Sequence, residues 1–199
     1  MGRVRALDGR HGAAHDRVRG IRRDRGTGGP LRVLDIAAGH GLYGVAVAKA
    51  RPDAHITALD WPKVLEVAKE NAERAGVMDR YELRPGSALD ADLGEGYDVV
   101  LVTNFYHHFD KTDCVKLAKR FHAALKPGGR MVTLEFVPNA DRVSPPGAAT
   151  FALIMLASTP GGDAYTFDEY DAMFREAGFG ASRVVDPPFG THRVVVTPA

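Results

Sequence analysis

The sequence predicts an α/β protein built on a doubly wound, mostly parallel sheet of seven strands. Three observations support this fold class. Strand-like and helix-like segments alternate from residue 31 onward, a glycine-rich turn joins the first strand to the first helix, and 199 residues with 45% hydrophobic content suffice for one substantial core. Repeated strand–helix–strand units favour right-handed crossovers between parallel neighbours. We therefore expect one domain, residues 31–199.

Periodicity and the residues that start or stop helices predict the elements in order. Strands are expected at residues 32–36, 55–60, 81–84, 97–103, 130–136, 182–185 and 193–197. Helices are expected at residues 43–50, 62–75, 111–125, 148–157 and 167–177. Pro62 suits the first turn of its helix, whereas Gly76 and Gly178 suit helix ends. The apolar helix at 148–157 follows Pro145, Pro146 and Gly147.

Residues 1–30 form an Arg/Gly-rich leader without helical or strand periodicity. Its first 29 residues carry 8 Arg, no Lys and 3 Asp, so most of the positive charge lies there and the remainder is mildly acidic. We predict a flexible leader; a basic arm for an acidic partner, or sequence foreign to the ancestral protein, are the alternatives. Because the remainder has no basic stripe, nucleic acid is not an expected partner.

The turn after the first strand carries glycines at 39, 41 and 44. Glycine lacks Cβ where a backbone turns sharply toward a ligand, and the N-terminus of the next helix offers unpaired N–H groups. Asp60 ends the next strand and can bind two vicinal ribose hydroxyls. The pattern therefore predicts a cradle for a nucleotide-type cofactor. The same glycine spacing matches the dinucleotide fingerprint, so a nicotinamide cofactor is the alternative.

Three further features distinguish the two cofactors. They are an acid, Asp35, before the glycine turn, the segment 126–129 (Lys-Pro-Gly-Gly) and the segment 104–109 (Asn-Phe-Tyr-His-His-Phe). Together they resemble the class I S-adenosylmethionine-dependent methyltransferases. In that family the acid lies near the methionine amino group, where a diphosphate would be repelled. The resemblance implies S-adenosyl-L-methionine as cofactor and a Rossmann-like sheet with an antiparallel last strand.

Ligands of open parallel sheets bind beyond the carboxyl ends of the strands. Trp61 follows one such end and can pack on the adenine or on the neighbouring helix. Ser87 follows another, where the resemblance implies adenine recognition and an ordinary turn is the alternative. The predicted cofactor-binding residues are Asp35, Ala37, Gly39, Gly41, Asp60, Trp61, Gly86, Ser87, Ala88 and Asn104.

Residues 31–199 look most like the catalytic domain of small-molecule O-methyltransferases of the caffeate and acetylserotonin type and their bacterial relatives. That family carries a His-Asp-Trp motif whose histidine is the base, and here the segment reads His107, His108, Phe109. The resemblance implies His107 as catalytic base and Glu135 as the carboxylate that orients it. Two residues separate Glu135 from Pro138, one fewer than the family pattern has.

Two departures from the family concern the rest of the site. The segment 159–166 is similar to a Gly-Gly loop that carries a second acid, but this acid falls on Ala164, with Asp163 adjacent. Family members also have an N-terminal helical dimerisation domain, which residues 1–30 are not expected to supply. A non-catalytic S-adenosylmethionine-binding module is therefore one alternative to an active enzyme.

The predicted reaction is methyl transfer to a hydroxyl of a small aromatic molecule. A phenol titrates near 10 and histidine near 6.5, so neutral His107 can take the proton as the methyl group moves. An N- or C-methyltransferase is a further alternative. The histidines and carboxylates show no metal-ligand spacing, and the resemblance implies a reaction without a metal ion.

Composition also bears on location and assembly. The chain has no apolar segment as long as a membrane span and no secretory signal, and its single cysteine, Cys114, suits a reducing compartment. We expect a cytoplasmic protein whose partners are a small-molecule acceptor and a second copy in a homodimer, with neither membrane nor nucleic acid.

Overall fold

The computed structural model describes residues 29–185 and 192–199, so that most of the predicted leader lies outside the described residues. In chain order the strands are β1 Leu31–Ile36, β2 Ala54–Asp60, β3 Tyr81–Pro85, β4 Tyr97–Thr103, β5 Leu125–Phe136, β6 Arg183–Val185 and β7 His192–Pro198. The helices are α1 Leu42–Ala50, α2 Pro62–Ala75, α3 Lys111–Ala124, α4 Pro146–Ser158 and α5 Phe167–Glu176. Short 3-10 turns lie at Met78–Arg80 and Tyr106–His108.

The seven strands form one sheet in the order β3-β2-β1-β4-β5-β7-β6. β1 pairs in parallel with both β2 and β4, whereas β7 runs antiparallel to both β5 and β6. The predicted mixed sheet with an antiparallel last strand is confirmed. β2 and β3 lie on one side of β1, and β4 and the strands that follow it lie on the other side. This reversal opens a crevice at the carboxyl ends of β1 and β4.

Helices cover both faces of the sheet, which confirms the doubly wound arrangement. Along β1, Val33 faces one layer and Leu34 the other, as the pleat of a strand requires. In the first layer, α1 and α2 pack against the sheet and bury Val45, Val47, Leu65, Ala68 and Ala72. The second buries α3 and α5, with Leu117, Ala118, Phe121, Tyr170 and Phe174.

The predicted helix boundaries were mostly correct, because their signals are local. α2 begins at Pro62 and ends before Gly76, whose φ of 68° is left-handed. A capping box between Thr166 and Glu169 starts α5. Among the residues that the structure describes, no helix has the length and apolarity needed to cross a bilayer.

The start of β5 was predicted wrongly. The strand begins at Leu125, which pairs with Tyr97, and not at Arg130 as expected. The register shifts between Tyr97 and Val99, so the Lys-Pro-Gly-Gly segment continues the strand irregularly. A Cβ on Gly129 would lie 3.0 Å from the carbonyl oxygen of Tyr97, so the two backbones approach closely where glycine stands.

Candidate active site

The turn between β1 and α1 is formed by three left-handed residues. Ala37, Gly39 and Gly41 have φ of 49°, 57° and 71°. A Cβ on Gly41 would lie 2.9 Å from both Ala68 Cβ and Tyr81 Oη, whereas a Cβ on Gly39 would meet nothing nearer than 3.9 Å. The turn is therefore packed against the protein at Gly41 and open at Gly39. The open side forms a cradle, and a side chain at position 39 would project into it.

Asp60 closes this cradle from the end of β2. Its Oδ2 accepts a 2.8 Å hydrogen bond from Gly39 N, and its Oδ1 accepts a 2.7 Å bond from Trp61 N. These two bonds hold the carboxylate across the crevice beside the open face of the turn. Each carboxylate oxygen has two lone pairs, so both retain capacity for ligand hydroxyls.

Asp35 lies beneath the turn and is fully buried. Its Oδ2 accepts a 3.2 Å bond from Gly44 N, whereas its Oδ1 has no hydrogen-bond partner among the described residues. Burial raises the pKa of this carboxyl to about 7, the Gly44 N–H partly offsets that effect, and the charge of Asp60 adds to it. A buried, unsatisfied carboxylate oxygen fits a cationic donor such as an ammonium group.

The remaining predicted cofactor residues follow β2 and β3. Gly86 has φ 156° and Ala88 is buried. Ser87 Oγ accepts a 3.1 Å bond from Leu89 N, which is the turn role given as the alternative. The indole of Trp61 is 61% exposed. Their role in binding a cofactor stays a prediction.

Asn104 directly follows β4 and lies in the left-handed region, with φ 52°. Its N–H donates to Leu134 O at 2.9 Å, and its Oδ1 lies 3.0 Å from Nε2 of His192, the first residue of β7. Sequence reasoning missed His192, since no motif connects two residues on strands so far apart in the chain. This pairing ties Asn104 to the antiparallel end of the sheet.

His107 and Glu135 form a buried pair on neighbouring strand ends. His107 Nδ1 lies 2.7 Å from Glu135 Oε2, and the two residues are 6% and 0% exposed. Glu135 Oε1 accepts bonds from Phe105 N at 2.7 Å and Tyr106 N at 2.9 Å. Glu135 thus accepts hydrogen bonds through Oε1 and faces the imidazole through Oε2, so we assign the Nδ1 proton to His107. Nε2 is then left as the acceptor of the ring.

Two aromatic rings pack against the imidazole of His107, and a glycine loop packs against its backbone. The rings of His108 and Phe151 lie 4.2 and 4.8 Å away, the latter edge-on at 87°. A Cβ on Gly162 would collide with the carbonyl oxygen of His107, so the Gly-Gly loop packs directly against the predicted base. The helix that carries Phe151 is uniformly apolar, so its sequence contains no signal for which of its residues would contact His107.

The Gly-Gly loop brings no second acid to His107. Ala164 is fully buried, and Asp163 turns to Arg142, which it contacts at 2.9 Å. Arg142 also binds Glu169 at 2.6 Å. Within the described ranges Glu135 is thus the one carboxylate bonded to His107. In those ranges no cluster of three His, Cys, Asp or Glu could hold a metal ion.

The sheet order brings the two halves of the site together. Asp35 and Asp60 lie at the carboxyl ends of β1 and β2, whereas His107 lies in the 3-10 turn after β4 and Glu135 near the end of β5. These four strands are neighbours in the order β2-β1-β4-β5. A cradle with one orphaned acid therefore adjoins a buried acid–base pair.

Comparison with known proteins places this arrangement in a family. Residues 29–180 match the model of the O-methyltransferase domain. The S-adenosyl-L-methionine-dependent methyltransferase PigF of Serratia sp. is 29% identical over 154 residues, which are 77% of this chain and 44% of that protein. The structure of PigF with SAH superposes with a TM-score of 0.76 at 27% identity, over 84% of this chain and 50% of that one.

Two other solved structures are similar over more of the chain. A Nostoc punctiforme protein described as a candidate O-methyltransferase is 45% identical with a TM-score of 0.90, over 96% of this chain and 57% of that one. An O-methyltransferase family 2 protein of Planctomyces limnophilus, solved with apigenin, is 26% identical with a TM-score of 0.84. The match covers 97% of this chain and 59% of that one. This chain spans about half the length of the curated relatives it matches. It belongs to the O-methyltransferase domain family.

Proposed function

We propose that this chain binds S-adenosyl-L-methionine in the crevice between β1 and β4 and methylates a hydroxyl of a small aromatic molecule. The observation that carries the proposal is the 2.7 Å contact between His107 Nδ1 and Glu135 Oε2. A cofactor-binding module alone would have no need of a buried imidazole oriented by a buried carboxylate beside the cradle. The proposal therefore favours an enzyme over a non-catalytic module.

The cradle fits the proposed cofactor at both of its polar ends. Asp35 Oδ1 has no partner among the described residues and would pair with the ammonium of the methionine moiety. Asp60 keeps acceptor capacity for two ribose hydroxyls, and Gly39 leaves space beside it. When bound, the cofactor supplies a methyl group already activated by a sulfonium. The names of PigF and of its complex with SAH support the same assignment for this chain.

His107 would act on the acceptor as a general base. Its Nε2 would accept the hydroxyl proton of an acceptor held beside the cradle, so that the acceptor oxygen could react with the methyl group that the bound cofactor supplies. Glu135 stabilises the resulting imidazolium through Nδ1, and the backbone N–H groups of Phe105 and Tyr106 keep Glu135 in place. General-base assistance of this kind is worth about 10²–10⁴-fold in rate.

The surroundings of His107 favour an aromatic acceptor. Phe151 lies edge-on to His107 and stacks on Phe136 at 4.0 Å and 17°. Both phenyl rings are partly exposed, so they offer apolar faces next to the base. The apigenin complex of the Planctomyces protein gives additional support. A panel of phenols, aromatic amines and activated aromatic carbons would distinguish O-, N- and C-methylation.

Calorimetric titration with S-adenosylhomocysteine tests the cofactor. We expect micromolar binding by the chain and a roughly 10- to 100-fold loss in Asp60→Ala, because a carboxylate bonded to two hydroxyls is removed. Asp79→Ala, which removes an exposed carboxylate elsewhere, serves as the matched control. Absence of binding by the folded chain, or equal affinity in Asp60→Ala, would contradict the proposal.

We also propose that the chain self-associates through α4. Leu153, Ile154 and Leu156 on this helix are 67%, 52% and 77% exposed. Large apolar side chains clustered on one helix are unfavourable in water and mark an interaction surface. Of the exposed large hydrophobic side chains in the described residues, these three lie closest together in sequence. A second copy of the chain would cover them.

Sedimentation velocity tests this assembly. We expect a dimer at tens of micromolar and a monomer when Leu153 and Leu156 are both replaced by Glu, because buried charge opposes association. Leu89→Glu, at an exposed leucine remote from α4 in sequence, should remain dimeric. A monomeric parent chain would count against the assembly but leave the proposed chemistry untouched.

A further inference from the structure

Tyr81, the first residue of β3, lies beneath the glycine turn that follows β1. Its side chain is almost fully buried, and its Oη donates a 3.0 Å hydrogen bond to the carbonyl oxygen of Gly41. The contact joins residues 40 apart in the chain. Neither the glycine motif nor the predicted strand distinguishes this tyrosine from other core residues.

The bond acts on the residue that starts α1. Gly41 is the N-cap, with φ 71° and ψ 3°, and as a glycine it has no side chain that could cap the helix. Its carbonyl accepts from Val45 N at 2.9 Å, the first bond of the helix, and from the Tyr81 hydroxyl. Both lone pairs of that oxygen are then used. The phenol thereby supplies one of the two hydrogen bonds that hold the peptide linking the turn to the helix.

The Tyr81 hydroxyl also lies in a tightly packed part of the turn. A Cβ on Gly41 would lie 2.9 Å from Oη, and a Cβ on Gly44 would lie 2.6 Å from it and 3.0 Å from Asp35 Oδ2. The same hydroxyl thus contacts the turn, the first turn of α1 and the surroundings of Asp35. Burial, together with the nearby Asp35, raises the pKa of Tyr81 well above its usual value. The phenol therefore stays a neutral donor.

We propose that Tyr81 is a positioning residue for the cofactor, whose hydroxyl keeps the glycine turn in the shape that presents Asp35 to the amino-acid end of S-adenosylmethionine. It acts through Gly41 and does not touch the ligand. The inference rests on the proposed function, because that function names the ligand. The nucleoside end is held by Asp60, whose own bonds go to Gly39 N and Trp61 N and not to the phenol.

Tyr81→Phe tests the inference, since it removes only the hydroxyl and keeps the ring in the core. Two ligands are titrated calorimetrically: S-adenosylhomocysteine, and 5′-methylthioadenosine, which lacks the ammonium and carboxylate. We expect a five- to tenfold weaker affinity for the first, the cost of one hydrogen bond, and a change below twofold for the second. Tyr97→Phe, at a buried tyrosine of β4, is the matched control and should bind both as the parent does.

The ligand comparison separates positioning from general destabilisation. Unchanged affinity of Tyr81→Phe for S-adenosylhomocysteine would overturn the inference, as would an equal loss for both ligands that follows a fall in Tm. Asp60→Ala should lose affinity for both ligands, which shows that each reports on the cradle. If the parent chain bound neither ligand, the proposed function itself would fail, and this inference with it.

Discussion

Replacing His107 by Gln should lower methyl transfer to a phenolic acceptor by about 10²–10⁴-fold while leaving the affinity for S-adenosylhomocysteine within twofold. The amide keeps a group at the Glu135 contact but cannot accept the acceptor's proton. Since the cradle lies on β1 and β2, cofactor binding should be unaffected. The measurement is kcat/KM for the best phenol of the panel, beside a calorimetric titration of the same variant.

Two controls make that result specific. His55→Gln changes an exposed histidine on β2 and should retain parental kcat/KM. Glu135→Gln keeps the size of the side chain but removes the charge that stabilises the imidazolium, so an intermediate loss is expected. Near-parental turnover in His107→Gln would assign the proton transfer elsewhere. The exposed His108, whose ring lies 4.2 Å from that of His107, would be the next residue to test.

Asp35→Asn should stabilise the ligand-free protein at alkaline pH and yet weaken S-adenosylhomocysteine binding by about a hundredfold. The folded pKa of Asp35 is about 7, above the ordinary value of 3.8. A raised folded pKa in an acid means that its contribution to stability is complete below pH 3.8 and is lost as pH rises to about 7. Asparagine does not ionise, so the variant escapes this loss.

The difference in free energy of unfolding between Asp35→Asn and the parent should grow by about 3 kcal/mol from pH 5 to pH 8. Denaturant unfolding at the two pH values measures it, with Asp79→Asn as an exposed control. The ligand's ammonium would pair with ionised Asp35, so parental affinity should rise through pH 7 and the variant's should stay flat. A parent whose stability relative to Asp35→Asn does not change with pH would show that Asp35 has an ordinary pKa.

The fold was largely predictable because its signals are local. Apolar runs of period two and amphipathic runs of period 3.6 define most strands and helices, and Pro62 and Gly76 bound α2 as predicted. The start of β5 was not predictable from local signals, since Leu125 joins the strand only through its pairing with Tyr97. Pairing between strands is a property of the sheet and not of the segment.

Part of the candidate site was likewise predictable from the sequence, and part of it was not. Family resemblance placed His107 and Glu135 in one unit, and the structure brings their side chains to 2.7 Å. The resemblance could not decide whether Asp163 would serve as a second acid, because a shift of one residue in a loop changes which side chain faces inward. The structure turns Asp163 to Arg142 and buries Ala164.

The sequence by itself determined the fold class, the glycine turn and the acids at the ends of β1 and β2, because each depends on residue types within a few positions of one another. Only the tertiary structure decided that Asp35 keeps an unpartnered oxygen, that Phe151 lies against His107 and that Tyr81 supports Gly41. These contacts join segments many residues apart. Their geometry depends on how the two helical layers and the neighbouring strands pack, which no local pattern records.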